Sequence, residues 1–270
     1  APGHPTEAEK YAVESLHQLD DYCRRFPGFR HKHQANEEYC RIYQNLGRAY
    51  KDQGNLEKAK RCFMLQLKFA RQAENAQYQG TAYINLASTV AQSAFEVEGD
   101  EFKDRLMESL EYFQKSLDIR KEIGDYSNIT TNFSNLFLLY YFLYSESQSD
   151  DHLDKARHYL LEAFDYWDPG ASLNPWFATF KNCMVLLSKE DLNIVARIYG
   201  LIETISIWQG KSIDDWNSEE IIEIKQNVVE NKKANNLYLA TKDLFSSEDL
   251  FIKNKAHMIK IVEDIRLALV

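Results

Sequence analysis

Four asparagines stand at a matching place in four stretches of the chain: Asn45, Asn85, Asn135 and Asn182. Each comes two positions after an aromatic residue (Tyr43, Tyr83, Phe133, Phe180), and an apolar residue follows it directly (Leu46, Leu86, Leu136, Cys183). An amide side chain offers a hydrogen-bond donor and an acceptor at once. Near the first of them lie Arg41, Arg48 and Lys51, cations that can pair with carboxylates. The residues that carry covalent or metal chemistry lack the arrangements it needs. No glycine-rich loop runs into Lys-Ser or Lys-Thr, and neither His-Glu-x-x-His nor Gly-x-Ser-x-Gly occurs. His31 and His33 lie near a loop and read as solvated, as do the carboxylate pairs Asp20 with Asp21, Asp150 with Asp151 and Asp214 with Asp215. Cys23, Cys40, Cys62 and Cys183 form no CxxC pair and no regular spacing with histidine, which argues against zinc. No catalytic residue, metal ligand or cofactor is assigned, and a role other than catalysis is expected.

The asparagines are spaced by 40, 50 and 47 residues, a self-similar period that marks stacked helical repeats. With 10 glycines and 5 prolines in 270 residues, the chain is too poor in turn formers for a many-turned sandwich or barrel. Apolar residues recur at helical spacing, as in Leu153, Ala156, Leu160 and Phe164. The pattern predicts a first helix over 6–25, broken by Pro27 and Gly28. Helical pairs follow near 37–74, 80–124, 128–168 and 174–210. Within them, helices are predicted over Thr81–Phe95, Leu106–Ile123, Ile129–Tyr144 and His152–Tyr166. Glu98, Gly99 and Asp100 open a longer connection, and the polar run from Ser145 to Asp151 reads as a loop. Beyond Gly210 the repeat fades. Ser218 and Ser247 read as N-caps of further helices, Asn235 and Asn236 as an interruption, and 211–270 as a helical cap on the stack.

The net charge of −9 gives no global attraction to nucleic acid or anionic membranes. No stretch reaches the roughly 20 apolar residues that span a bilayer. Cysteines placed on helices behave as small apolar residues, and a reducing, cytoplasmic compartment fits them.

Residues 43–72 resemble the tetratricopeptide repeat, through Tyr43, Leu46, Gly47, Tyr50, Gly54, Ala59 and Phe63. Gly47 and Ala59 let paired helices approach closely while the large residues fill the surrounding space. The other pairs match less well but keep phase. The ladder asparagine lies 14 residues before the partner helix's small residue for Asn45 and Ala59 and for Asn182 and Ala196. The interval is 24 for Asn85 and Ser109 and 21 for Asn135 and Ala156, which predicts extra residues in the inner turns of the middle pairs. The resemblance implies an all-α, right-handed solenoid of four to five hairpins with a C-terminal helical cap. The helix at 6–25 resembles the second half of a repeat, which leaves open that the chain is a fragment. A weaker similarity, over 196–210, is to helical sensor regions of multidomain regulators.

In that family the first helix of each pair lines a concave groove. Carried over, the groove residues are Asn45, Asn85, Asn135 and Asn182 with Arg41, Gln44, Arg48, Ser88, Gln92, Leu138 and Tyr141. The groove is then cationic at its first unit, small and polar at its second, and apolar and aromatic at its third. It suits a protein or peptide segment with acidic residues and an apolar anchor. Two readings stay open beside this. The asparagines can serve helix packing alone, and Leu138, Tyr141 and Phe142 can be buried against the C-terminal helices. The alternative function is a ligand-sensing domain of a larger signalling switch protein.

Overall fold

The computed structural model describes residues 7–28, 33–166, 176–208, 219–245 and 255–270. Among them every regular element is a helix: α1 (Glu7–Arg25), α2 (His33–Asp52), α3 (Leu56–Gln72), α4 (Ala76–Ala94), α5 (Gly99–Ile123), α6 (Tyr126–Ser147), α7 (Asp150–Asp165), α8 (Trp176–Leu187), α9 (Leu192–Trp208), α10 (Glu219–Glu230), α11 (Lys232–Leu244) and α12 (Lys255–Leu269). The fold is the all-α helical repeat that the period and the resemblance imply. The chain divides into two compact units, 1–147 and 148–270. Of the pair expected over 128–168, the first helix, α6, lies in unit 1 and the second, α7, in unit 2.

In unit 1 each helix packs on the next, and α2 also touches α4 directly. The turns are specified locally. Gly54 takes φ +73°, a left-handed conformation that costs glycine little. The side chain of Asn55 then accepts from the backbone N–H of Lys58 (3.2 Å) and starts α3. Asn75 does the same for α4 through Tyr78 (3.0 Å), which moves that helix start five residues ahead of the expected Thr81. A shared core of Ala59, Phe63, Leu67, Ala82, Tyr83 and Leu86 joins α3 to α4. Gly47 has the role its position implied: a Cβ there would lie 2.5 Å from a ring carbon of Phe63.

The extra residues of the middle pairs are not in the turns. Helix α5 begins at Gly99, not near Leu106, and only residues 95–98 connect it to α4. Asp100 and Glu101 in its first turn favour helix through the dipole, so the acidic stretch that reads as loop is helical. The polar run after Tyr144 likewise continues α6 to Ser147, and α7 starts at Asp150. The phase survives this. Ser109 is fully buried and donates to the carbonyl of Ala87 (2.8 Å), and Ser116 donates to that of Gly80 (2.8 Å). The buried guanidinium of Arg120 bonds Ser116 (3.2 Å) and Asp125 (2.5 Å), at the junction of α5 and α6.

In unit 2, α8 and α9 form a hairpin, α11 packs along α9, and α12 packs on α7 and α9. A Cβ on Gly200 would lie 2.7 Å from the carbonyl oxygen of Tyr238, so the backbones of α9 and α11 meet at that glycine. The interruption expected at Asn235 falls earlier. Asn231 caps α11, accepting from Lys233 and Ala234 (both 3.1 Å), and Asn235 and Asn236 lie inside the helix. The expected N-caps Ser218 and Ser247 and the solvated His31 lie outside the described residues.

Candidate functional site

Helices α2 and α4 share a face, and the ladder residues of both helices lie along it. On α2, Arg41, Asn45 and Arg48 are exposed and Gln44 is half-buried. Arg41 pairs with Glu38 on its own helix. On α4, Asn85 and Ser88 are half-buried and Gln92 is exposed. Three bonds tie the two helices into this face. Lys51 of α2 donates to the hydroxyl of Ser88 (2.9 Å). Gln66 of α3, fully buried, donates to Gln44 of α2 (3.4 Å) and accepts from Asn85 of α4 (3.3 Å). Burial in this seam lowers the Lys51 pKa, with neighbouring Asp52 opposing the shift and Arg48 adding to it.

The amide of Asn85 and the hydroxyl of Ser88 are therefore engaged within the protein. Ser88 also donates to the backbone oxygen of Asn85 (3.2 Å). Asn45, Arg48 and Gln92 present their polar ends outward. The sequence pointed to the asparagines and missed Gln66. Its signal was there: Gln66 sits among Cys62, Phe63, Leu67 and Ala70 on the buried stripe of α3, where a polar residue needs a partner.

On α6, Asn135 is half-buried and Leu138 is 38% exposed. Tyr141 stacks on Phe137, centroids 5.6 Å apart, and Phe142 meets Phe95, the residue that ends α4, edge to face at 5.2 Å. Asn182 lies in unit 2 on α8 and is buried, 4% exposed. Asn45, Asn85 and Asn135 thus share unit 1, and Asn182 lies in unit 2.

The charge of unit 1 is unevenly placed. Helix α4 carries no charged residue in 19, and α6 carries Glu146 alone in 22. Helices α3 and α5 are densely charged. Among the described residues no cluster of three or more His, Cys, Asp or Glu side chains is placed to hold a metal ion, and no helix is long and apolar enough to cross a membrane. The cysteines are buried; burial pushes the Cys40 thiol up to about 12 and the Cys62 thiol up to about 11.

Sequential helical hairpins, with small residues at their crossings and a face of amides and aromatics, define a helical-repeat interaction protein. The tetratricopeptide repeat matches residues 41–72, which form the second half of α2, the Gly54 turn and α3. That match supports a protein-binding module. No curated protein matches the chain.

Proposed function

We propose that unit 1 binds an extended polypeptide segment along the face formed by α2, α4 and α6. The nearly uncharged surface of α4 and α6 carries this reading. A protein in which 27% of residues are charged has left α4 and α6 almost without charge, and their half-exposed side chains are mainly amides, hydroxyls and aromatic rings. Such a surface loses little on desolvation and can bond a peptide backbone, whereas a face kept only for solvent would carry lysine and glutamate. Arg48 and Asn45 on α2 supply the end that fits an acidic residue of the ligand. Leu138 and the half-buried Tyr141 supply the seat of an apolar side chain. Asn85 and Ser88 act by holding α4 against α2. No reacting group is assigned, and the module works by recognition.

The test is capture from native lysate and titration of the captured segment. Asn45→Ala with Arg48→Ala is expected to weaken binding about tenfold, as loss of one or two charge-assisted contacts does. Leu138→Ser weakens it further. Circular dichroism checks that the variants keep their helices, since these side chains are exposed. Unchanged binding of both variants would remove the reading. Retention of a small molecule in place of a protein would move it to the ligand-sensing alternative.

A further inference from the structure

The turn edge of unit 1 has a feature that the inner face does not explain. Helix α5 extends ten residues ahead of Ser109, whereas α3 extends only three ahead of Ala59. The α4–α5 hairpin therefore overhangs the Gly54 turn by more than a helical turn. Beneath the overhang is a cleft of about 500 Å³, whose lining includes Asn55, Glu57, Ser93, Glu96 and Arg105.

Its carboxylates outnumber its one cation. Arg105 is already occupied, donating to the carbonyl of Ser93 (2.7 Å) and pairing with Glu101 (2.6 Å). Glu57 and Glu96 are exposed carboxylates, and among the described residues no cation pairs with either. Glu98, Asp100 and Asp104 add exposed negative charge along the same edge. The helix dipole accounts for Glu57, Asp100 and Glu101 in first turns, but not for Glu96. Nor does it account for Phe95. That ring is 58% exposed, standing edge-on to Phe142 (5.2 Å) and Phe102 (5.8 Å). An exposed aromatic ring in a carboxylate field attracts a cation through its face and an apolar neighbour through its area.

We propose that this edge is a second docking surface, distinct from the inner face, that takes a basic polypeptide segment in which lysine or arginine stands beside a bulky apolar residue. The cation enters the cleft between Glu57 and Glu96, and the apolar residue covers Phe95. Charge complementarity selects this occupant: an acidic segment would meet five carboxylates of 96–104, of which Glu101 is paired with Arg105, against the cations Lys103 and Arg105.

The test uses the full chain and a short fluorescein-labelled peptide of lysine, leucine and glycine, read by anisotropy at physiological salt. Two control peptides replace leucine by serine and lysine by glutamate. Binding of the first peptide over both controls is expected. Phe95→Ala is expected to weaken it about tenfold, and Glu57→Gln with Glu96→Gln by a similar factor. Asn45→Ala with Arg48→Ala leaves it unchanged, which separates this surface from the inner face. All of these side chains are exposed, and circular dichroism verifies the fold. Equal binding of the serine control would reduce the effect to net charge and overturn the proposal. So would wild-type affinity in Phe95→Ala or in the double glutamine variant, or binding of none of the peptides.

Discussion

Each unit contains a glycine where two helices touch, and the two contacts are made differently. In unit 1 Gly47 lies against the ring of Phe63, side chain to backbone; in unit 2 Gly200 lies against the carbonyl of Tyr238, backbone to backbone. The ion pairs differ in their longest reach. Unit 1 relies on pairs between near neighbours in its array, such as Lys60 with Glu108 (2.8 Å). Unit 2 has pairs of similar reach, such as Arg157 with Glu190 (2.6 Å), and adds pairs between helices farther apart in sequence, Arg197 with Asp264 (2.6 Å) and Arg266 with Asp165 (2.7 Å). A helical array can be specified hairpin by hairpin while its period lasts. Where the period is lost, pairs of distant residues must define the packing.

The largest effects are expected at the two glycines. Gly200→Ala forces a methyl group against main chain that cannot turn aside, and a loss of about 3 kcal/mol is expected. Gly47→Ala meets a buried ring that can tilt slightly, and about 2 kcal/mol is expected. Hydrogen exchange followed by mass spectrometry should place the first loss in α9 and α11 and the second in α2 and α3. An equal or larger loss at Gly47 would dissolve the distinction.

Acid should act next, and on unit 2. Burial alone would raise the Asp264 pKa, but hydrogen bonds from Arg197 (2.6 Å) and Lys260 (3.1 Å) outweigh it and hold the carboxyl below its ordinary value. A depressed carboxylate contributes stability that is full above the unfolded pKa and lost as pH falls through the folded one. Exchange protection in α12 is therefore expected to decline as pH falls below about 4. Asp264→Asn should flatten that response. If the wild-type response is already flat, the distant pair does not hold α12.

Smaller effects come from the caps. Asn55→Ala in unit 1 and Asn231→Ala in unit 2 should each cost about 1 kcal/mol, because each leaves first-turn N–H groups without a side-chain acceptor. Similar values in both units would show that local signals operate equally in each, with only the long-range packing differing. Smallest of all is the response of the thiols. Buried Cys40 and Cys62, with their pKa values raised to about 12 and about 11, should react with a thiol reagent only on unfolding. Fast labelling of the folded chain would show that the α2–α3 seam opens.

The helices and their order were legible because apolar residues recur with helical period and because Gly54, Asn55 and Gly124 punctuate them. The lengths were less so. Residues 98–104 and 145–147 look like loop by polarity, yet they lie in or against helices whose apolar cores begin only a turn away. Propensity in a polar stretch is weak, and an adjoining packed segment extends the helix through it. At the inner face, Asn45 and Arg48 were visible as types, but the exposure that distinguishes them from Asn85 depends on Gln66 and Lys51 reaching across the seam. Phe95 was hidden because an aromatic residue at a helix end reads as core. Its 58% exposure follows from the overhang, and that follows from the length of α5.

Arg120 has a consequence for the order in which unit 1 comes apart. A linear array of repeats ordinarily frays from its ends, each hairpin releasing independently of those further in. Here one guanidinium, buried beside Gly80 of α4, grips Ser116 of α5 and the Asp125 that precedes α6. Releasing α6 would strand that charge in an apolar setting, and the penalty falls on α4 and α5 as well. The amides of α4, α5 and α6 should therefore open together, as a single cooperative block, while α1 at the opposite end exchanges alone.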